Sequence, residues 1–207
     1  DTLKFLLFRV QNVKEVLQQD RFAEYDEEAI EMFVDSVKEF ADKEMFPFFK
    51  EMDERPAHFK TGEIVVHEQV KKYMQKAGEM GFIGAPFDYE VGGLQMPTMA
   101  VNASAFIQEA ANNHLPGYAG LTLGAAELII HFANAELNST YVPKMISGDW
   151  GGTMCLTEPQ AGSSLSDVIT KATPTDDDFY HISGQKIFIS GGDNDFTENI
   201  VQKSLSK

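Results

Sequence analysis

The segment TEPQAGSS, Thr157 to Ser164, holds the residue types that a binding turn needs. The run Gly152 to Leu156 reads as a strand that delivers Thr157 to the turn. Pro159 fixes the backbone, Gly162 permits close approach, and Ser163 and Ser164 offer hydroxyls and N–H groups. Such a turn can cradle a phosphate or a ring edge. The same residues also make an ordinary turn between strands, so residue types alone leave both readings open.

Other candidates carry less. His58, His67, His114, His131 and His181 lie far apart, none paired at metal-ligand spacing, so no metal site is expected. Cys155 sits in an apolar stretch and reads as an inert buried thiol. No GxSxG elbow or P-loop is present. The run GYAGLTLG, Gly117 to Gly124, is not a dinucleotide fingerprint and reads first as close helix packing. Phe46, Phe48 and Phe49 read as core, and the acidic Asp26 to Glu31 as the first turn of a helix.

These segments need elements to hold them. Leu3, Leu6, Leu7, Val10, Val13 and Leu17 repeat with helical period, which predicts one amphipathic helix over Leu3 to Gln18. Asp26 suits an N-cap, and Ile30, Phe33, Val34, Val37, Phe40 and Ala41 mark the next helix, ended or kinked at Pro47. Met52 to Gly62 reads as a loop, and Val66 to Met80 as a helix with Gly81 just beyond it. Gly81 to Gly93 reads as an ordered loop. Pro97 suits position N1 of a helix over Thr98 to Asn112. Leu115 to Phe132 reads as a buried helix, and Asn138 to Ile146 as a short one stopped by Gly148. After Trp150 the expected elements are strands: Gly152 to Leu156, Ser166 to Ala172, Phe179 to Ser183 and Gln185 to Ser190, with a turn at Asp176 to Asp178. The expected fold is therefore α + β: an all-helical N-terminal bundle, residues 1–149, followed by the opening strands of a β-barrel-like domain, residues 150–207. The β part is too short for a sheet of ordinary size, so the chain reads as incomplete, with exposed strand edges that favour self-association.

Composition narrows the partners. Lys plus Arg total 17 against 32 Asp plus Glu, a formal charge of −15, with no basic run. That surface repels nucleic acid and anionic lipid, and neither is expected as a partner. One cysteine excludes an intrachain disulfide and suits a reducing compartment. No apolar run approaches the roughly 20 residues of a membrane span.

The run TMCLTEPQAGSSLSD, Thr153 to Asp167, resembles the flavin-binding strand and turn of the acyl-CoA dehydrogenase family, usually ending TEP-x-AGSD. ISGQKIFISGG, Ile182 to Gly192, resembles that family's second flavin segment. FADKEMFPFFKEMDE, GEMGFIGAPFDYEVGG and HFANAELNSTYVPKMISGDW follow upstream in family order, so the resemblance covers nearly all of Tyr25 to Val201, and Leu3 to Asp20 resembles the preface of a longer branch. The resemblance implies FAD as cofactor. Leu156 N–H and Thr157 would then meet the pyrimidine edge of the isoalloxazine, with Met154 where many members have Tyr. Ser163, beside Gly162, would bond the pyrophosphate or ribityl region and border the substrate. Phe188, where the family often has Trp, would pack on the ring. Ser190, where it often has Thr, would place its hydroxyl near flavin N5. Gly120 and Gly124 would floor the acyl pocket.

The implied activity is α,β-dehydrogenation of a fatty acyl-CoA, with hydride passed to flavin N5 and electrons to an electron-transfer flavoprotein. The implied setting is a homo-oligomer in the bacterial cytoplasm, with the mitochondrial matrix left open. Ser164 departs from the family's Asp, and the polar ending QKSLSK, Gln202 to Lys207, stands where an apolar strand is expected. The family's catalytic Glu lies in a C-terminal helical domain. None of Glu90, Glu109, Glu127 or Glu158 matches it, so no catalytic residue is assigned. An acyl-CoA oxidase or flavin monooxygenase relative, and a truncated non-enzymatic interaction module, stay open as alternatives.

Overall fold

The computed structural model describes all 207 residues, Asp1 to Lys207. The expected first helix is broken into α1 (Thr2–Phe5), a π-helical stretch Leu6–Val10 and α2 (Val13–Val16). Asn12 takes a left-handed conformation, φ 51°, between the pieces. Asn tolerates that region where most side chains do not. The break turns Leu7 and Val13 into the core and leaves Leu6 and Val10 outside, which one straight helix would not do.

Helix α3 (Glu27–Phe40) begins as expected, with the Asp26 carboxylate accepting the Ala29 N–H at 2.8 Å. Its apolar stripe Ile30, Phe33, Val34, Val37 and Phe40 is wholly buried. Approaching Pro47, which has no N–H to donate, the helix opens into a π-helical turn over Ala41–Met45. It then tightens over Phe46–Phe48 and resumes as α4 (Phe49–Glu54). Two buried amides serve carbonyls in the distorted stretch: Gln69 Nε2 donates to Glu44 O at 2.7 Å and Asn112 Nδ2 to Met45 O at 3.0 Å. Asn112→Leu, which keeps the branched shape at a larger volume and removes both the donor to Met45 O and the acceptor of the His114 N–H at 3.1 Å, is expected to cost about 1–3 kcal/mol. The readout is a lower urea midpoint at unchanged m. A midpoint equal to the parent's would show that Met45 O needs no donor from Asn112.

Phe46 and Phe49 do not join the core; Phe46 is 63% exposed. Met52 to Gly62 is not simply a loop either. Helix α4 runs through Met52 to Glu54, and strands β1 (His58–Lys60) and β2 (Glu63–Val65) form an antiparallel hairpin. Its turn, Thr61-Gly62, has both φ values positive, 50° and 97°, the twist that suits a two-residue hairpin.

Helix α5 (Glu68–Glu79) is capped by His67, whose Nδ1 accepts the Gln69 N–H at 3.1 Å. Gly81, φ 75°, ends it. The loop that follows inserts Phe82, Ile83, Ala85 and Phe87 inward. Phe82 meets Phe40 and Phe33 edge-on, at centroid distances of 5.4 and 5.8 Å. Pro97 is the residue before α6 (Thr98–Asn112) rather than its first residue. Buried Tyr73 donates to Gln108 Oε1 at 2.8 Å and Gln108 Nε2 to Ser104 Oγ at 3.0 Å, tying α5 to α6 through satisfied polar groups.

Helices α7 (Pro116–Phe132) and α8 (Ala135–Ile146) complete the helical part. Helix α7 is apolar enough for full burial, yet only Thr122, Ala125 and Ala126 are buried, and Phe132 is 82% exposed. The buried face packs on β3 (Gly151–Cys155). Gly152 lets the strand approach: its N–H donates to Thr122 Oγ1 at 3.0 Å, and a Cβ there would stand 2.6 Å from Ala125 Cβ.

Strand β3 pairs in parallel with β6 (Ile200–Ser204), with Gly151 opposite Ile200 and Cys155 opposite Ser204. Strands β4 (Lys171–Pro174) and β5 (Tyr180–Ser183) form an antiparallel pair around Asp176 to Asp178. The polar ending is thus strand through Ser204. Beyond it, Lys207 N–H donates to Thr170 O and Ala172 N–H to Lys207 O, each at 2.8 Å, which links the two pairs. Polarity does not prevent this, because the ladder bonds use backbone groups. Two expected strands fail. Leu165–Asp167 is a short 3-10 turn, so β4 starts only at Lys171, and Gln185 to Ser190 is irregular. Phe188, φ 56°, is incompatible with a strand there. No helix is long and apolar enough to cross a membrane.

Candidate functional site

The end of β3 and the irregular stretch 186–192 lie side by side in opposite directions. Thr153 Oγ1 donates to Ser190 O at 2.5 Å, and Ile187 N–H donates to Thr157 O at 2.9 Å. Between these ties the Lys186 ammonium reaches across to Leu156 O at 3.1 Å. Their packing opens a cavity of about 690 Å³, walled by Cys155, Lys186 to Ile189, Gly191, Gly192 and Tyr118 among others. Gly191 meets helix α7 from the other side: a Cβ on it would lie 3.5 Å from Leu121 Cδ1.

The candidate residues fall into four places. Met154, half-buried, is in β3, and Leu156 and Thr157 follow it, also half-buried. The N–H groups of Leu156 and Thr157 make no hydrogen bond within the chain. Phe188 and Ser190 lie in the facing stretch. Phe188 is 89% exposed and is the one candidate residue among the cavity walls. The Ser190 hydroxyl is exposed, while its carbonyl is held by Thr153. Gly162 and Ser163 sit in an exposed turn closed by Glu158 N–H to Ala161 O at 2.8 Å, and a Cβ on Gly162 would meet nothing within 4 Å. That turn is not brought into the cavity. Gly120 and Gly124 lie on α7; Gly120 faces open space, and the Lys203 ammonium donates to the Gly124 carbonyl.

The sequence reading missed the charged knot beneath the turn. The Glu158 side chain is fully buried. It accepts Ile169 N–H at 2.8 Å, Thr170 N–H at 3.1 Å, Gln160 Nε2 at 2.7 Å and Lys186 Nζ at 2.8 Å. Burial alone would raise its pKa. The bonds from Ile169, Lys186 and Thr170 outweigh that and hold the carboxyl well below its ordinary range. Lys186 is satisfied in turn by Glu158, Leu156 O and, at 2.7 Å, Leu205 O. The available signal was one charged residue inside each of the segments TEPQAGSS and GQKIFIS, a pattern that also fits solvent exposure. Nearby, burial pushes the Cys155 thiol up, partly offset by Lys186. Burial lowers the Lys203 ammonium, against the pull of Glu127.

Residues 27–149 match the family model for the acyl-CoA dehydrogenase N-terminal domain. The chain belongs to the acyl-CoA dehydrogenase family. It is 33% identical to a butyryl-CoA dehydrogenase of Syntrophomonas wolfei over 99% of this chain and 34% of that protein. It is also 33% identical to the broad-specificity linear acyl-CoA dehydrogenase of Mycobacterium tuberculosis, over 98% of this chain and 33% of that one. The crystal structure of an acyl-CoA dehydrogenase from Geobacillus kaustophilus superposes with a TM-score of 0.66 at 26% identity, covering 80% of this chain and 40% of its own. The chain thus spans about a third of the length of the curated relatives it matches. The mixed helix-and-strand fold is that of the corresponding part of the acyl-CoA dehydrogenases.

Proposed function

We propose that these residues form the front part of an FAD-dependent acyl-CoA dehydrogenase, which introduces an α,β double bond into a fatty acyl-CoA. The observation that carries this reading is the pairing of two segments far apart in sequence. Leu156 and Thr157, with unused N–H groups, are tied to Lys186 to Ile189 beside a cavity of about 690 Å³.

The residues fit the flavin. Two free N–H donors at a strand end suit the acceptor atoms of a pyrimidine edge. The open turn at Gly162 and Ser163 leaves room for a phosphate at its N–H and hydroxyl groups. Leu156 and Thr157 would hold the ring edge, with Met154 behind them; Ser163 would hold the pyrophosphate or ribityl chain; Phe188 and Ser190 would flank the ring. When bound, FAD supplies the hydride acceptor. This chain's residues orient it, exclude water and set its hydrogen bonds. Gly120 and Gly124 would border the acyl chain.

The division at residues 149–150 into a helical and a β domain belongs to the same reading. So do a homo-oligomeric assembly, an electron-transfer flavoprotein as electron acceptor, and the bacterial cytoplasm or mitochondrial matrix as the setting. The catalytic base is assigned to none of the 207 residues.

The test is a titration of FAD, followed by flavin fluorescence and absorbance, into this chain with and without a separately expressed C-terminal half of the protein. Binding that appears when both halves are present supports the reading. Absence of binding when both halves are folded and associated removes it.

A further inference from the structure

We infer that Lys186 and Glu158 form a buried clamp that positions the Leu156–Thr157 strand end for flavin binding; this rests on the flavoenzyme reading above. The pair is not among the residues proposed to contact the flavin. Its effect is on the backbone that would.

Lys186 Nζ holds three acceptors: Glu158 Oε1 at 2.8 Å, Leu205 O at 2.7 Å and Leu156 O at 3.1 Å. The last belongs to the residue whose N–H is unused within the chain. Leu156 C=O and Thr157 N–H share one rigid peptide plane, so an ammonium with three oxygen partners that holds Leu156 O turns the Thr157 N–H one way before any ligand arrives. The Leu156 N–H lies in the preceding plane, whose carbonyl, Cys155 O, accepts Leu205 N–H at 3.2 Å, and Lys186 also holds Leu205 through its carbonyl; on the other side Ile187 N–H holds Thr157 O at 2.9 Å. Glu158 anchors Lys186 from beneath and is itself fixed by Ile169 and Thr170 N–H.

The arrangement has no slack. The Lys186 side chain is 12% exposed and that of Glu158 is fully buried. Breaking such a pair leaves one charge buried without its partner. The approach of Lys186 also depends on Gly184, φ 159°, two residues earlier. A Cβ there would stand 2.2 Å from Thr170 Oγ1, and Thr170 is itself a ligand of the Glu158 carboxylate. Chain path, glycine and charge pair therefore serve one junction. The sheets alone do not make it, because 186–192 is irregular and belongs to no ladder.

The experiment uses the full-length protein carrying Lys186→Met, Glu158→Gln, both together, or Lys186→Arg. Ile30→Val, in the distant helical core, provides a destabilised control. FAD dissociation constants and the reduction midpoint of bound flavin are measured alongside melting temperature. Lys186→Met and Glu158→Gln are expected to weaken FAD by about tenfold or more each. They should also shift the midpoint potential, since hydrogen bonds at the ring edge tune it. The double variant should cost clearly less than the sum of the two singles, as befits one coupled unit. Lys186→Arg should recover part of the loss. If the clamp variants lower only the melting temperature while affinity and potential follow Ile30→Val, the positioning role is wrong and the pair merely holds the fold. If the unmodified protein binds no FAD, the flavoenzyme reading itself falls and takes the clamp's role with it.

Discussion

Gly148→Ala is expected to lower the melting temperature by about 10 °C. Gly148 follows α8 at φ 82°, in the left-handed region that costs other residues about 1–2 kcal/mol. A Cβ there would also stand 2.2 Å from the carbonyl oxygen of Met74 in α5. The reciprocal contact is as tight: a Cβ on Gly78 of α5 would lie 1.9 Å from Ser147 O. Helix α5 and the exit of α8 therefore meet backbone on backbone, and no rotamer change can relieve either substitution. Overpacking of this kind costs about 1–3 kcal/mol or more. In Gly78→Ala it outweighs the gain of up to about 1 kcal/mol that alanine brings to a helix interior. Gly117→Ala is the control, because a Cβ there meets nothing within 4 Å. Thermal melts of the three variants settle the matter. A neutral Gly148→Ala would mean that the α5–α8 junction is looser than its geometry.

The second large effect concerns acid. Burial would raise the folded-state pKa of Glu158, but the bonds from Ile169, Lys186 and Thr170 outweigh it and hold the pKa below its ordinary 4.5. A depressed carboxyl pKa contributes stability above the unfolded-state value, and that contribution is lost as pH falls towards the folded-state value. The melting temperature should therefore be steady from neutrality to about pH 5 and decline below about 4.5. Glu158→Gln should melt lower at pH 7, by more than about 5 °C, since Lys186 is left without its anion. Its acid decline should be shallower than the parent's. Because the other acidic residues titrate in both proteins, the difference between the two curves isolates Glu158. Parallel curves would show that the carboxylate contributes nothing to acid stability.

Legibility in the sequence followed the range of the interactions involved. The stripe of α3, its Asp26 cap and the Gly81 stop depend on residues a few positions apart, and all three stand as read. Leu3 to Gln18 had the right period but broke at Asn12, because period does not report a single left-handed residue. The hairpin at His58 to Val65 was passed over because three-residue strands carry too little alternation to register. Gln185 to Ser190 alternates well enough for a strand, yet Lys186 and Ile187 are committed to the β3 end and Phe188 turns to positive φ.

By itself the sequence determined the α + β order, the family motifs TEPQAGSS and GQKIFIS, and the helices whose stripes are self-contained. It could not decide what the motifs do to each other. Only the tertiary structure brought Thr157 to Ile187, buried Glu158 under Lys186, and placed the polar Gln202 to Ser204 in a strand on β3. It also left the apolar helix α7 largely uncovered. The physical reason is the same in each case. Propensity and period are properties of neighbouring residues, whereas the burial of a charge, the partner of a backbone N–H and the cover over an apolar face are set by segments brought together from afar.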